Sequence, residues 1–257
     1  AQKGYSGTEK VFEGKEGFMD TYIGWNAKDE SLNPTDMEGR DGVSSWSWDV
    51  DVLVGGLGDS YKIMECGMKA FPTEALTHTH LSCVLNAMIN NDLDYTDIQE
   101  VKVTCFSQAY DILFDPAKYR PESRETADHS LPYCLAAAMV DKKITAESFS
   151  DEKLNDPRIF EVIDKIKGEP SQEFEKMFPE KQPSRVVITT NEGNEYSEYL
   201  EYPKGDPREP MTMDDLKNKF NSLAGDKFDS GAKTQLKEYI FNCEDMSAGE
   251  FMDNLTV

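Results

Sequence analysis

The stretch IQEVKVTCFS, residues 98–107, alternates apolar and polar side chains and puts Val101, Val103 and Cys105 on one side, the pattern of a half-buried strand. Helical spacing surrounds it. In residues 79–90, Leu81, Val84, Leu85, Met88 and Ile89 share one face. HSLPYCLAAAMVDKK (129–143) reads as a buried helix, with Ser130 as N-cap and Pro132 in the first turn, where a missing N–H costs little. Residues 156–168 space Ile159, Val162, Ile163 and Ile166 for one helical face. SRVVITTNEGNEYSEYLEY (184–202) reads as a hairpin turning at Asn191–Gly193. Two periods mixed in this order specify an α+β unit.

The ends of the chain read differently. Phe12, Phe18, Met19 and Tyr22 give a short apolar pattern broken by Gly14 and Gly17, and residues 26–45 are polar and loop-like. WSWDVDVLVGGLG (46–58) is expected to begin a strand and turn at its glycines, and YKIMECGMKAF (61–71) is expected to be a strand. PKGDPREP breaks the pattern after the hairpin. Thr212 followed by Asp215 then forms the acidic version of a capping box, and the helix it opens stops at Gly225. Residues 230–242 and 247–255 also look helical. Neither helical end is large enough to hold a core alone. The expected organisation is therefore an end of a helical domain with its connecting loop (1–58), an α+β unit (59–205) and a return to the helical domain (206–257), so that the middle interrupts a mainly helical domain of which only fragments are present.

The 257 residues can bury one large core or two modest ones. With 49 acidic and 27 basic residues, the formal charge of −22 argues against nucleic acid as partner and repels anions at long range. A site for a polycarboxylate must then concentrate cations locally. No run approaches the roughly 18–20 apolar residues of a membrane helix, and no signal peptide opens the sequence, so a cytoplasmic setting is expected, or the mitochondrial matrix in a eukaryote. The first residue is Ala1, so the chain is read as processed or as cut from something longer. Cys66, Cys83, Cys105, Cys134 and Cys243 are odd in number and include no CxxC; free thiols, most of them buried, are expected.

GMKAFPTEALTHTHLSCVLNAM (67–88) concentrates Lys69, Glu74, His78 and His80 at the start of a helix, and His129 precedes another helix beside Asp128. A helix N-terminus favours anions and disfavours protonated imidazole. Histidines there tend to be neutral near pH 7 and able to exchange a proton. Two such starts with a lysine would suit an anion site with acid–base capability. The plainer alternative is a solvated lysine and histidines that cap or pack. His78 and His80, two positions apart, point to different sides of a helix and lack the i, i+4 spacing of a helical zinc pair. Residue types alone leave both readings open.

MKAFPTEALTHTH (68–80) and YRPESRETADHSLPYCLAAAMVDKKIT (119–145) resemble signature segments of the MmgE/PrpD family, as do FEGKEGF (12–18) and PMTMDDLKNKF (210–220). The resemblance spans nearly the whole chain but only the C-terminal half of a family member. It implies an enzyme with a large helical domain and a smaller α+β lid, a cleft between them and no metal or organic cofactor. It further implies a homodimer through the helical domain. Family activities include dehydration of 2-methylcitrate and decarboxylation of cis-aconitate. Lys69 matches the active-site lysine of the lid. Five residues on, decarboxylase-type sequences carry histidine where this chain has Glu74, and FPTE is nearer the dehydratase pattern FPAE, so the resemblance favours a hydro-lyase. His78 belongs to the threonine–histidine pair that follows, and His129 falls in the DHS segment, where capping is as good a reading as catalysis. The expected site is Lys69 as electrostatic clamp, with Glu74, His78 and His129 as relay candidates, a small polycarboxylate as substrate, and the principal base in the absent half. Decarboxylase, epimerase and a non-catalytic subunit completing a separate helical chain are the alternatives. The 257 residues by themselves are expected to be inactive and to expose apolar surface where the helical domain packs.

Overall fold

The computed structural model describes residues 54–255 together with Gly4, Ser6, Gly7, Val11, Phe12 and Phe18. The expectations for residues 26–45 and 46–53, and most of those for 1–25, lie outside the described residues. The chain divides into two compact units, Ala1–Glu65 and Cys66–Val257. In the first, residues 55–59 form a turn and Lys62–Glu65 a single 3₁₀ turn. The strand expected over 61–71 is thus absent: the YKIMECGMKAF stretch is mostly exposed and offers no face for a sheet to bury.

The second unit is α+β. Its elements are α1 (His78–Asn90), β1 (Ile98–Cys105), α2 (Ser107–Leu113), α3 (Arg124–Asp128), α4 (Leu131–Asp141), α5 (Asp151–Leu154), α6 (Pro157–Ile163), β2 (Ile166–Pro170), α7 (Gln172–Glu175), β3 (Ser184–Thr190), β4 (Glu195–Leu200), α8 (Met213–Ala224), α9 (Ser230–Phe241) and α10 (Ala248–Asn254). The four strands form one mixed sheet in the order β2-β1-β3-β4. β1 pairs parallel with β2, Val101 opposite Ile166, and antiparallel with β3, Val101 opposite Ile188. β3 and β4 make the expected hairpin, turned through Gly193 at φ 85°.

β2 was hidden in the sequence. The helix expected over 156–168 ends at Ile163, and Ile166 begins a strand instead. Its apolar spacing fits a helix, but the parallel ladder with β1 satisfies the backbone of 166–170, a tertiary partner that local spacing does not contain.

The core lies where α1 packs on β3 and β4 and α4 packs in turn on α1 and α6. Val101, Val103 and Cys105 of β1 and Val186 and Ile188 of β3 are fully buried. Every side chain of α4 from Leu131 to Met139 is buried, and the small Ala136–Ala138 run lets α1 and α6 approach closely. Ser130 caps α4 by accepting from the Tyr133 amide at 3.1 Å. The buried Tyr133 hydroxyl donates to the Ser148 carbonyl at 2.9 Å. On the outer face of the sheet, Lys102 pairs with Glu169 at 2.9 Å and Lys167 pairs with Glu100. Such charges blunt the β2 edge.

Candidate active site

Residues 66–77 lead into α1 through a bend at 70–73 and the 3₁₀ turn Ala75–Thr77, and are held at several points. The Met68 amide donates to the Gly205 carbonyl at 2.8 Å. Gly205 sits at φ 97°, and a Cβ there would stand 1.9 Å from the Met68 carbonyl oxygen. Only glycine permits both the backbone conformation and the approach. The segment carrying Lys69 is thereby docked against the 203–209 turn. Lys69 Nζ then folds back and donates to the Thr73 carbonyl at 3.0 Å. The Thr73 and Thr77 hydroxyls bond each other at 2.7 Å, and Thr77 Oγ1 donates to the Glu74 carbonyl at 2.7 Å. These local bonds fix the bend ahead of the helix.

His78 opens α1 and is 2% exposed. Its ring lies 5.4 Å from that of Phe71, and its Nε2 has no hydrogen-bond partner. Burial lowers its pKa to about 4; the Thr73 carbonyl opposes the shift, while Lys69 and Lys219 add to it. The ring is neutral at pH 7. Lys219 reaches this place from α8, 150 residues away, and its Nζ donates to the Lys69 carbonyl at 2.5 Å. Two ammonium groups, a neutral buried imidazole and the N-terminus of a 13-residue helix therefore gather in one place. That set can hold carboxylates and pass a proton.

The other sequence-derived candidates take different positions. Glu74 turns its carboxylate inward along the chain, accepting from the Leu76 amide at 2.6 Å to cap the 3₁₀ turn Ala75–Thr77. Its own amide donates to the Asp128 carbonyl at 3.0 Å, and together with Asp128 it raises the pKa of Cys134, whose burial is the larger cause. Glu74 thus joins α1 to α3. His129 ends α3 with its side chain half exposed, its Nδ1 shared between the Asp128 carboxylate and the Glu125 carbonyl at 3.1 Å. The charges that act on His78 are those of Lys69 and Lys219. His80 faces the opposite way, as its two-residue offset from His78 requires: it is fully buried, bonded through Nδ1 to the Ser184 hydroxyl of β3, and held by burial at a pKa of about 3.

Sequence reasoning missed Lys219. The PMTMDDLKNKF segment marks α8, but nothing local separates Lys219 from the neighbouring Lys217. Among the described residues no group of three or more His, Cys, Asp or Glu side chains converges as metal ligands would. Nor is any helix among them long and apolar enough to cross a membrane. Three of the five thiols, Cys83, Cys105 and Cys134, are buried, and Cys66 and Cys243 are exposed.

An α+β unit with a cationic helix start is the class that fold and site define. Residues 71–244 match the MmgE/PrpD C-terminal domain, and the chain belongs to the MmgE/PrpD family. Among curated proteins it is similar to cis-aconitate decarboxylase of Mus musculus, 31% identical over 40% of this chain and 21% of that one. It is similar to cis-aconitate decarboxylase of Aspergillus terreus at 24% identity, over 75% of this chain and 40% of the relative. A cis-aconitate decarboxylase-like protein of Aspergillus oryzae aligns at 22% identity with 95% of this chain and 48% of its own length. The chain spans less than half the length of the curated relatives it matches.

Proposed function

We propose that this chain supplies the lysine-bearing wall of a lyase acting on a small polycarboxylate, with the opposite wall contributed by the helical domain that the family resemblance implies. The lid and helical-return boundaries expected from the sequence, and dimerisation through the helical portion, belong to the same proposal. The observation that carries it is His78: a buried, uncharged imidazole with an unpartnered Nε2, near enough to the ammonium groups of Lys69 and Lys219 for both to lower its pKa. Chemistry on a tricarboxylate needs its charges held, a proton moved at carbon, and the developing negative charge stabilised. Lys69 suits the first and last tasks. A carboxylate arriving beside His78 would offset the two ammonium groups and raise the ring's pKa, making it a better proton carrier in the complex than in the free protein.

The reaction favoured by the FPTE segment is loss of water from a 2-hydroxy tricarboxylate of the 2-methylcitrate type, using side chains rather than a bound cofactor, as the family resemblance implies. A second reading, decarboxylation of cis-aconitate, is supported by the activity in the relatives' names and by the capping role of Glu74, which keeps its carboxylate from acting freely in catalysis. The full-length protein is offered each substrate in turn. Growth of ultraviolet absorbance from a conjugated alkene with 2-methylcitrate supports dehydration; carbon dioxide released from cis-aconitate without that growth replaces it with decarboxylation. Neither product from either acid would remove the lyase reading.

A further inference from the structure

We propose that Lys219 is a second cation of this site and that, with Lys69, it selects ligands carrying at least two carboxylates. The inference rests on the functional reading above and extends it to a residue and a charge requirement. Lys219 arrives from a helix whose position is fixed near its start: Thr212 and Asp215 form a capping box, and Asp215 pairs with Lys204 at 2.6 Å. Lys204 adjoins Gly205, the residue that docks the Met68–Lys69 segment. One turn therefore positions both lysines, although 150 residues separate them in sequence.

Their partners point to a ligand. Lys102, Lys153, Lys181 and Lys204 all pair with carboxylates, as expected in a chain with 49 acidic and 27 basic residues. Among the described residues, Lys69 and Lys219 instead donate to backbone carbonyls, those of Thr73 and Lys69. Both charges lower the pKa of His78 while the Thr73 carbonyl raises it, and the Phe71 ring lies 5.4 Å from the imidazole. His78 Nε2 is buried and unpartnered, as are Thr79 Oγ1 and His80 Nε2 in the same turn of α1. Native proteins rarely leave such an atom unsatisfied without a functional reason. A dianion relieves the repulsion between the ammonium groups, which a monoanion does only in part.

The test uses the full-length protein, with tricarballylate as a non-reacting tricarboxylate and acetate as the monoanion, titrated calorimetrically against wild type, Lys219→Gln and Lys219→Arg. The His78 ring protons are followed by NMR across pH in the same three proteins. Lys219→Gln is expected to weaken tricarballylate binding about tenfold, to leave acetate within about twofold, and to raise the His78 titration midpoint; Lys219→Arg keeps tricarballylate within about threefold. Unchanged tricarballylate affinity or an unchanged His78 midpoint in Lys219→Gln overturns the assignment. So does equal loss of both ligands that Lys219→Arg fails to rescue, which marks a merely structural lysine. Wild-type protein that binds no tricarballylate overturns the functional reading itself, and is told apart by needing no variant.

Discussion

The segment from α1 to α4 and the C-terminal helices α8–α10 follow the same local rules and end in different surroundings. Both have capped helices: Ser130 caps α4, Thr212 and Asp215 form a capping box at α8, and Ser247 and Glu250 form another at α10. α4 nevertheless buries every side chain from Leu131 to Met139, whereas Ala224 and Leu236 are the buried hydrophobics among the described residues of α8–α10. Leu223, Phe241 and Met252 are each more than half exposed. Local signals can therefore form a helix equally well in either region, but only the first region gains the packing that makes a substitution expensive. The proposed site lies on the seam, Lys69 and His78 leading into α1 and Lys219 on α8.

The sharpest way to break the contrast is to delete side-chain volume in both regions of the 257-residue chain. Leu135→Ala in α4 is expected to cost about 2–5 kcal/mol, while Met252→Ala in α10 is expected to cost no more than about 0.5 kcal/mol by denaturant unfolding. A large cost at Met252 would mean that α10 packs more tightly than its exposure implies. Next in size is the seam. Lys69→Met in the full-length protein should lower kcat by about a hundred- to a thousandfold with folding intact, the cost of losing one preorganised charge. Wild-type turnover in that variant would remove Lys69 from the site.

Smaller effects test the burial of the histidines. Ser184→Ala leaves His80 Nδ1 without its partner and should destabilise by about 1–3 kcal/mol, read from the same denaturant curves. Both His78 and His80 have folded pKa values, about 4 and about 3, below the ordinary histidine value of 6.5. The unfolded chain therefore binds protons first as pH falls. Their contribution is fully present above about pH 6.5 and is lost as pH drops from there toward 4 and then 3. His80→Gln should flatten that slope, and an unchanged slope would take His80 out of the acid sensitivity and leave it to His78 and the carboxylates. The smallest effect is Thr212→Ala, expected to cost about 1 kcal/mol by thermal melting through loss of the α8 cap.

Much of this architecture could be read from the sequence because the relevant interactions are local. The alternation of Val101, Val103 and Cys105, the Asn191–Gly193 hairpin, the Ser130 cap and the Thr212–Asp215 box all involve residues within a few positions of one another. The failures share the opposite property. The 61–71 strand had the right residue types but no neighbour to pair with, and β2 looked helical until β1 supplied a ladder. By contrast, the capping bond from the Leu76 amide to the Glu74 carboxylate is local, two residues apart, because a short helix start offers a donor there.

By itself, the sequence determined the α+β class, the family segments and the concentration of Lys69 and His78 at one helix start, since period, capping chemistry and spacing act over a few residues. Tertiary structure alone decided that Lys219 shares their site, that His80 turns away to Ser184, and that His78 is stripped of water and kept neutral. Those outcomes depend on contacts across about a hundred residues or more, and on burial, which no single segment carries.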